Sequence, residues 1–199
     1  MKNVMLIGAL LASSALCAQN STDWNTNYFV DEFGDETGQS YKSYLTDSGN
    51  FSNSATSRSE LTAVVIFKED GDRYMKFKLY EYGRGAEESL TYSSAEYGFI
   101  TMKDENGVKY GVPAQAYKEG GLYIWDNTIS GESKSMIKYL REQGFVVYDS
   151  GKEFLDFITS TNMIFTVLVE SSQFSEYGSS KYVFKFPGLN TNTETVVSN

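Results

Sequence analysis

The strongest constraint on the fold of this chain is the stretch from Leu61 to Tyr82. Leu61–Phe67 is an apolar run, Glu69-Asp70-Gly71-Asp72 interrupts it, and Tyr74–Tyr82 then alternates. On that second arm Met75, Phe77 and Leu79 share one face, and Lys76 and Lys78 share the other. Strand side chains alternate with a period of two, so this pattern means one face packs and the other meets water. An Asp-Gly step between two such runs is a hairpin signal. A lone hairpin is at best marginally stable in water, so the segment demands partner strands.

The rest of the chain supplies them. Residues 24–30 and 40–46 read as the first two strands, and the polar, Ser-rich stretch 47–59 between them and the hairpin reads as a loop. Tyr97–Met102 and Val108–Val112 form a second hairpin across Asp104-Glu105-Asn106-Gly107, where Asn-Gly suits a tight turn. Leu122–Trp125, Phe145–Tyr148, Met163–Val169 and Lys181–Phe186 complete the strands. Two short helices interrupt the series. Lys134–Gln143 places Met136, Ile137 and Leu140 on one side and stops at Gly144. Ser150 and Glu153 have capping-box spacing ahead of the stripe Phe154, Leu155 and Ile158. The expected fold is mainly β, α+β at most: an antiparallel β-sandwich or open barrel, with two short helices in the C-terminal half covering an edge or an end. No internal repeat or linker divides it, so residues 19–199 read as a single β-rich domain with a polar tail from about residue 190.

Residues 1–18 read as an address. Lys2 gives a positive start, Val4–Leu11 is an apolar run broken by Gly8, and Leu16-Cys17-Ala18 precedes the polar Gln19-Asn20-Ser21. That order is a secretory signal peptide, and its apolar centre falls short of the roughly 20 residues needed to span a bilayer. The expectation is an exported protein, periplasmic or extracellular, without a transmembrane segment. A lipoprotein signal places a small residue before its Cys, whereas Leu16 precedes Cys17. Cleavage before Gln19 is therefore expected, with a lipid anchor through Cys17 as the alternative.

Cleavage bounds the chemistry. Cys17 is the only cysteine and the chain holds no histidine, so the mature protein has neither. A disulfide framework, a thiol nucleophile, a Cys/His zinc site and a Ser-His-Asp triad are all excluded. Lys2 is the leader's only charge, so its loss takes the formal net charge from −9 to −10. So acidic a chain lacks the basic footprint that nucleic acid requires. No cofactor is expected.

Four groups of residues invite a functional reading. Asp31, Glu32, Asp35 and Glu36 lie within six residues around Phe33-Gly34 and are candidate oxygen ligands for calcium, which takes six to eight oxygens. They lack EF-hand spacing, and a solvated turn explains them as well. Any two of the 26 acidic residues facing one another could act as the acid–base pair of a glycosidase, but nothing in the sequence marks a pair. Ser135 and Lys138 match the Ser-x-x-Lys pattern of serine β-lactamases, although the companion motifs are missing and the intervening Met136 and Ile137 belong to a helix core. The fourth group is aromatic: Trp24, Tyr41, Tyr44, Tyr74, Tyr80, Tyr82, Tyr92, Tyr97, Tyr110, Tyr117, Tyr123 and Trp125. Amphipathic rings on a β face can stack on sugars or anchor a protein partner. The hairpin arm bearing Tyr74, Tyr80 and Tyr82 opposite its core face is the first candidate for such a ligand-binding surface.

With Trp24, Tyr28-Phe29-Val30 and Asp31-Glu32-Phe33-Gly34-Asp35-Glu36-Thr37-Gly38, the chain resembles a loose group of uncharacterised secreted bacterial and phage-encoded proteins that open on a Trp-strand-Asp-Glu-Phe pattern. Its ending Tyr182-Val183-Phe184-Lys185-Phe186-Pro187-Gly188-Leu189 is similar to the last strand of invasion-associated locus B-type periplasmic proteins. The resemblance implies a secreted β-sandwich and carries no catalytic residues. The functional expectation is a non-enzymatic binding or interaction module of the bacterial envelope, its ligand an envelope protein or a glycan. The alternative is a carboxylate-dependent polysaccharide hydrolase.

Overall fold

The computed structural model describes residues 24–46, 48–53, 55–82, 84–85, 97–116, 121–128, 134–170 and 180–190. The leader, Cys17 and the polar tail lie outside the described residues. In chain order the elements are β1 (Asn25–Val30), β2 (Glu36–Leu45), β3 (Gly49–Ser52), β4 (Ser59–Lys68), β5 (Tyr74–Glu81) and β6 (Arg84–Gly85). There follow β7 (Tyr97–Asp104), β8 (Lys109–Ala116), β9 (Leu122–Trp125) and helix α1 (Lys134–Glu142). Last come β10 (Phe145–Val147), helix α2 (Gly151–Ile158), β11 (Ile164–Glu170) and β12 (Lys181–Pro187).

The chain is mainly β, and its sheet closes on itself. The strand order β4-β3-β12-β11-β7-β8-β9-β5 returns to β4 through the β4–β5 hairpin, giving an eight-stranded antiparallel barrel. Of the two expected architectures, sandwich or open barrel, the sandwich gives way to a barrel, and that barrel is closed. The physical reason lies in β4: its alternation provides one core face, while its two edges are both paired, with β5 along one and with β2 and β3 along the other. A sheet without a free edge at that point has no need of a second sheet to face.

Eight strands enclose a space just wide enough for side chains to fill. Here Phe67, Phe77, Phe165, Phe184 and Phe186 fill it together with Met75, Leu79, Val65, Val112 and Val167, all 2% exposed or less. The apolar parity of β5, read from sequence, holds: Met75, Phe77 and Leu79 point inward. One seam needs a plug, because β12 pairs with β3 only from Lys181 to Val183. Trp24 supplies it, packing against Tyr44 and Phe186 while its indole N–H donates to the carbonyls of Pro187 and Gly188, each at 3.2 Å.

The stretch 47–59 is not simply a loop: β3 lies within it, and Phe51 is fully buried. Gly49 permits that pairing, since a Cβ there would sit 2.5 Å from the Leu61 carbonyl oxygen. Helix α2 packs Phe154, Leu155 and Ile158 into the main core, and Ser150 caps it by accepting from the Glu153 amide at 3.3 Å. Glu153 reaches back one residue further than the capping box requires, to the amide of Asp149 at 3.3 Å. Outside the barrel, β10 adds to β8 in parallel, and Leu140 of α1 packs on Phe99 and Val147 as a small second core.

Candidate functional site

The filled barrel directs attention to its outer surface. Strand register places outward residues opposite one another: Lys68 faces Tyr74, Tyr74 faces Trp125, and Lys76 faces Tyr123. The rings meet as a band. Tyr74 lies 4.7 Å from Trp125 and 5.7 Å from Tyr123, and the Tyr123 and Trp125 planes are 5° apart at 5.2 Å. The Lys76 ammonium sits 4.5 Å from the Tyr123 ring centroid. Tyr41 packs against Phe29 with ring centroids 4.8 Å apart and planes tilted by 47°, and it lies close enough to Tyr74 to disfavour its ionisation. Burial is the larger influence on Tyr74, raising its pKa, followed by Tyr123 and Tyr41.

The three tyrosines expected from sequence do not gather at one point on the surface. Tyr74 joins this band, but Tyr80 is six residues along the same strand, about 20 Å away at the usual strand rise. Tyr82 has left the strand with φ of 48°, is 73% exposed, packs its ring edge-on to Phe51 and donates its hydroxyl to Ser59 at 3.0 Å. Among the other aromatics of that group, Trp24, Tyr44 and Tyr110 serve the interior. Tyr92 and Tyr117, and the side chain of Tyr97, lie outside the described residues. Tyr123 and Trp125 are the partners that sequence alone does not connect to Tyr74, since only the β5–β9 register brings them beside it.

A cavity of about 480 Å³ opens beside Trp125, within the size range of small-ligand sites. The β4–β5 turn (Gly71, Asp72, Arg73), Gln115 of β8 and the turn after β9 (Trp125, Asp126, Asn127, Thr128) line it. Its floor is fixed by backbone and side-chain bonds. The Asp126 amide donates to the Arg73 carbonyl at 3.2 Å, the Trp125 amide to Thr128 Oγ1 at 3.0 Å, and the Gly151 amide of α2 to the Thr128 carbonyl at 2.7 Å. Arg73 is clamped: its Nε donates to Asp126 at 2.8 Å and its Nη2 to Asp156 at 2.6 Å. Burial lowers the pKa of this guanidinium, but the hydrogen bonds it donates to the two carboxylates outweigh that and hold the value above normal. Lys152, at 2.6 Å, and then Arg73 keep the Asp156 carboxyl below its usual range. Asp126 and Asp156 thus serve a structural ion-pair cluster. The Trp125 indole N–H is buried and, among the described residues, has no acceptor.

The acidic motif has a structural role of its own. Asp31 Oδ1 accepts from the amides of Phe33 at 2.9 Å and Asp35 at 3.0 Å, and Gly34 takes φ of 89°. Asp104 builds the same turn, Oδ1 accepting from Asn106 and Val108 at 2.9 Å each, with Gly107 at φ of 86°. In both, a carboxylate closes the loop and a glycine supplies the left-handed residue. Asp31, Glu32, Asp35 and Glu36 all lie exposed at the β1–β2 tip. Among the described residues, no three acidic side chains converge as a metal-binding group. Asp104, by contrast, is buried, and its Oδ2 accepts the Tyr110 hydroxyl at 2.8 Å. Lys138 is engaged with Glu142 at 3.8 Å, and the side chain of Ser135 lies outside the described residues.

No helix among the described residues is long and apolar enough to cross a membrane. No protein-family model matches the chain, and comparison with curated proteins and with solved structures also gives no match.

Proposed function

We propose that this chain is an exported, non-catalytic binding module of the bacterial envelope that recognises a glycan through the outer face of β5 and β9. The observation that carries the reading is the contact of Tyr74, Tyr123 and Trp125 on the solvent side of a filled barrel. These rings lie opposite the core parity of their strands, so packing the barrel does not require them. A sugar presents a C–H face that suits an aromatic ring and a rim of hydroxyls that suits carboxylates and amides. Asp72, Gln115 and Asn127 stand beside Trp125 on the cavity wall.

Calorimetric titration and a glycan array test the reading. Tyr123→Ala should weaken glycan binding at least tenfold, equivalent to about 1.4 kcal/mol. Tyr80→Ala, distant on the same strand, should leave it unchanged. Equal binding by both variants and the parent would remove this face as the site.

A further inference from the structure

The outer face that carries the aromatic band does not stop at β5. Strand register continues its parity from Tyr123 and Lys76 to Ile66 of β4, from Ile66 to Ser43 of β2, and from Ser43 to Asn25 of β1. Asn27 and Tyr41 are paired with the same parity, and Phe29 packs on Tyr41. The row ends at β1, which among the described residues pairs only with β2. We infer that β1 is a dimerisation edge: a second copy of this chain pairs with it antiparallel and joins the two outer faces. The dimer stands on the strand edge alone; only the use of its joined face depends on the glycan reading.

An edge strand directs every second amide and carbonyl away from its neighbour, which makes it a template for another strand. Proteins commonly blunt such an edge with lysine, proline, an inward charge or a bulge. Asn25–Val30 contains no charged residue and no proline. Its irregularity, between Tyr28 and Val30, lies at the tip end and leaves Asn25–Tyr28 in regular register. The edge is also rich in apolar surface. Of the nine large hydrophobic side chains exposed among the described residues, Tyr28, Val30 and Phe33 are three.

Charge selects the occupant and its direction. Two copies can meet along β1 without opposing like charges, because the strand itself carries none. Parallel pairing would bring together two tips, each bearing Asp31, Glu32, Asp35 and Glu36. Antiparallel pairing instead sends each acidic tip to the base of the other copy, where Lys42 stands opposite Thr26. Opposite charges across strands contribute and like charges cost, so the antiparallel arrangement wins. Its two-fold axis is perpendicular to the sheet, so both aromatic faces turn the same way. Two such faces on one rigid surface can engage a single polymer with avidity that neither copy has alone.

Sedimentation velocity of the purified protein across the micromolar range tests the edge. The expected result is a concentration-dependent equilibrium between monomer and dimer. Thr26→Lys and Tyr28→Lys, both at exposed positions, should each weaken dimerisation at least tenfold with the melting temperature unchanged. Val146→Lys, at an exposed apolar position on β10, should leave the dimer intact. Hydrogen exchange of the β1 amides should slow as protein concentration rises, and should cease to depend on concentration in Tyr28→Lys. A protein that stays monomeric throughout, or a dimer untouched by both β1 lysines, would overturn the inference. So would a dimer broken by Val146→Lys alone. A monomer that binds glycan removes the dimer and keeps the face; a dimer that binds none keeps the edge and removes the face.

Discussion

Gly151→Ala sets two physical effects against each other at the point where α2 meets the cavity floor. Helix propensity favours the substitution, since alanine is better than glycine by up to about 1 kcal/mol within a helix. Sterics oppose it. A Cβ on Gly151 would lie 2.0 Å from the Trp125 carbonyl oxygen and 3.0 Å from its carbon, both backbone atoms. Restoring an ordinary contact needs a movement of more than about 1 Å, and neither partner is free to make it. The Gly151 amide holds the Thr128 carbonyl at 2.7 Å, and Phe154 and Leu155 anchor the helix in the core. Overpacking of this kind costs typically 1–3 kcal/mol, so the steric term should win with a net loss of about 1–2 kcal/mol. For a chain of this size that corresponds to a fall in melting temperature of about 2–8 °C. Urea unfolding followed by tryptophan fluorescence measures it, with an unchanged slope showing that the denatured state is unaffected. The same displacement moves the Trp125–Thr128 turn, so glycan affinity should fall with stability. A variant as stable as the parent, or more so, would refute the packing of α2 against this turn.

The remaining expectations concern pH and the buried polar pair. Burial first, and then Asp104, pushes the Tyr110 pKa up to about 12, and burial raises that of Tyr148 strongly. Because the folded state prefers the protonated phenols, their contribution is complete below about pH 10, the unfolded value, and is lost as pH rises through the folded one. Alkaline unfolding followed by phenolate absorbance should therefore begin above about pH 10, and Tyr110→Phe should flatten part of that slope. The same variant leaves the buried Asp104 Oδ2 without its donor and should cost about 1–3 kcal/mol at neutral pH by chemical denaturation. At the acid end, the depressed Asp156 pKa gives stability present above about pH 4 and lost as pH falls through the folded value. Asp156 is half exposed, so Asp156→Asn should lower neutral-pH stability by less than about 1 kcal/mol and reduce the acid slope slightly.

The sequence is most legible where local rules suffice. The β4–β5 hairpin follows from alternation about Asp70-Gly71, and Gly71 takes φ of 71° in that turn. The capping of α2 is equally local, since Ser150 and Glu153 are three residues apart. Barrel closure is less legible, because β12 with β3 and β7 with β11 pair residues far apart in sequence. Strand β3 escapes notice because Phe51 is its one apolar residue and the reason for Gly49 is the distant Leu61 carbonyl. The same divide runs through the candidate face. Parity places Tyr74 on the outer surface, but only register adds Tyr123 and Trp125, and only strand length separates Tyr80 from them. The acidic motif at 31–36 is read more clearly beside its twin at Asp104–Val108, where a second Asp-Glu-x-Gly run makes the same turn.

The central claim, a glycan-binding face beside Trp125, is tested most directly by that residue's own fluorescence. The chain has two tryptophans, and Trp24 is the seam plug bonded to the carbonyls of Pro187 and Gly188. Trp24→Phe therefore leaves Trp125 as sole reporter. Titration of this variant with the glycan that binds best on the array should shift or quench its emission, saturating at the affinity measured by calorimetry. Binding measured by calorimetry with the Trp125 emission unmoved would contradict the account.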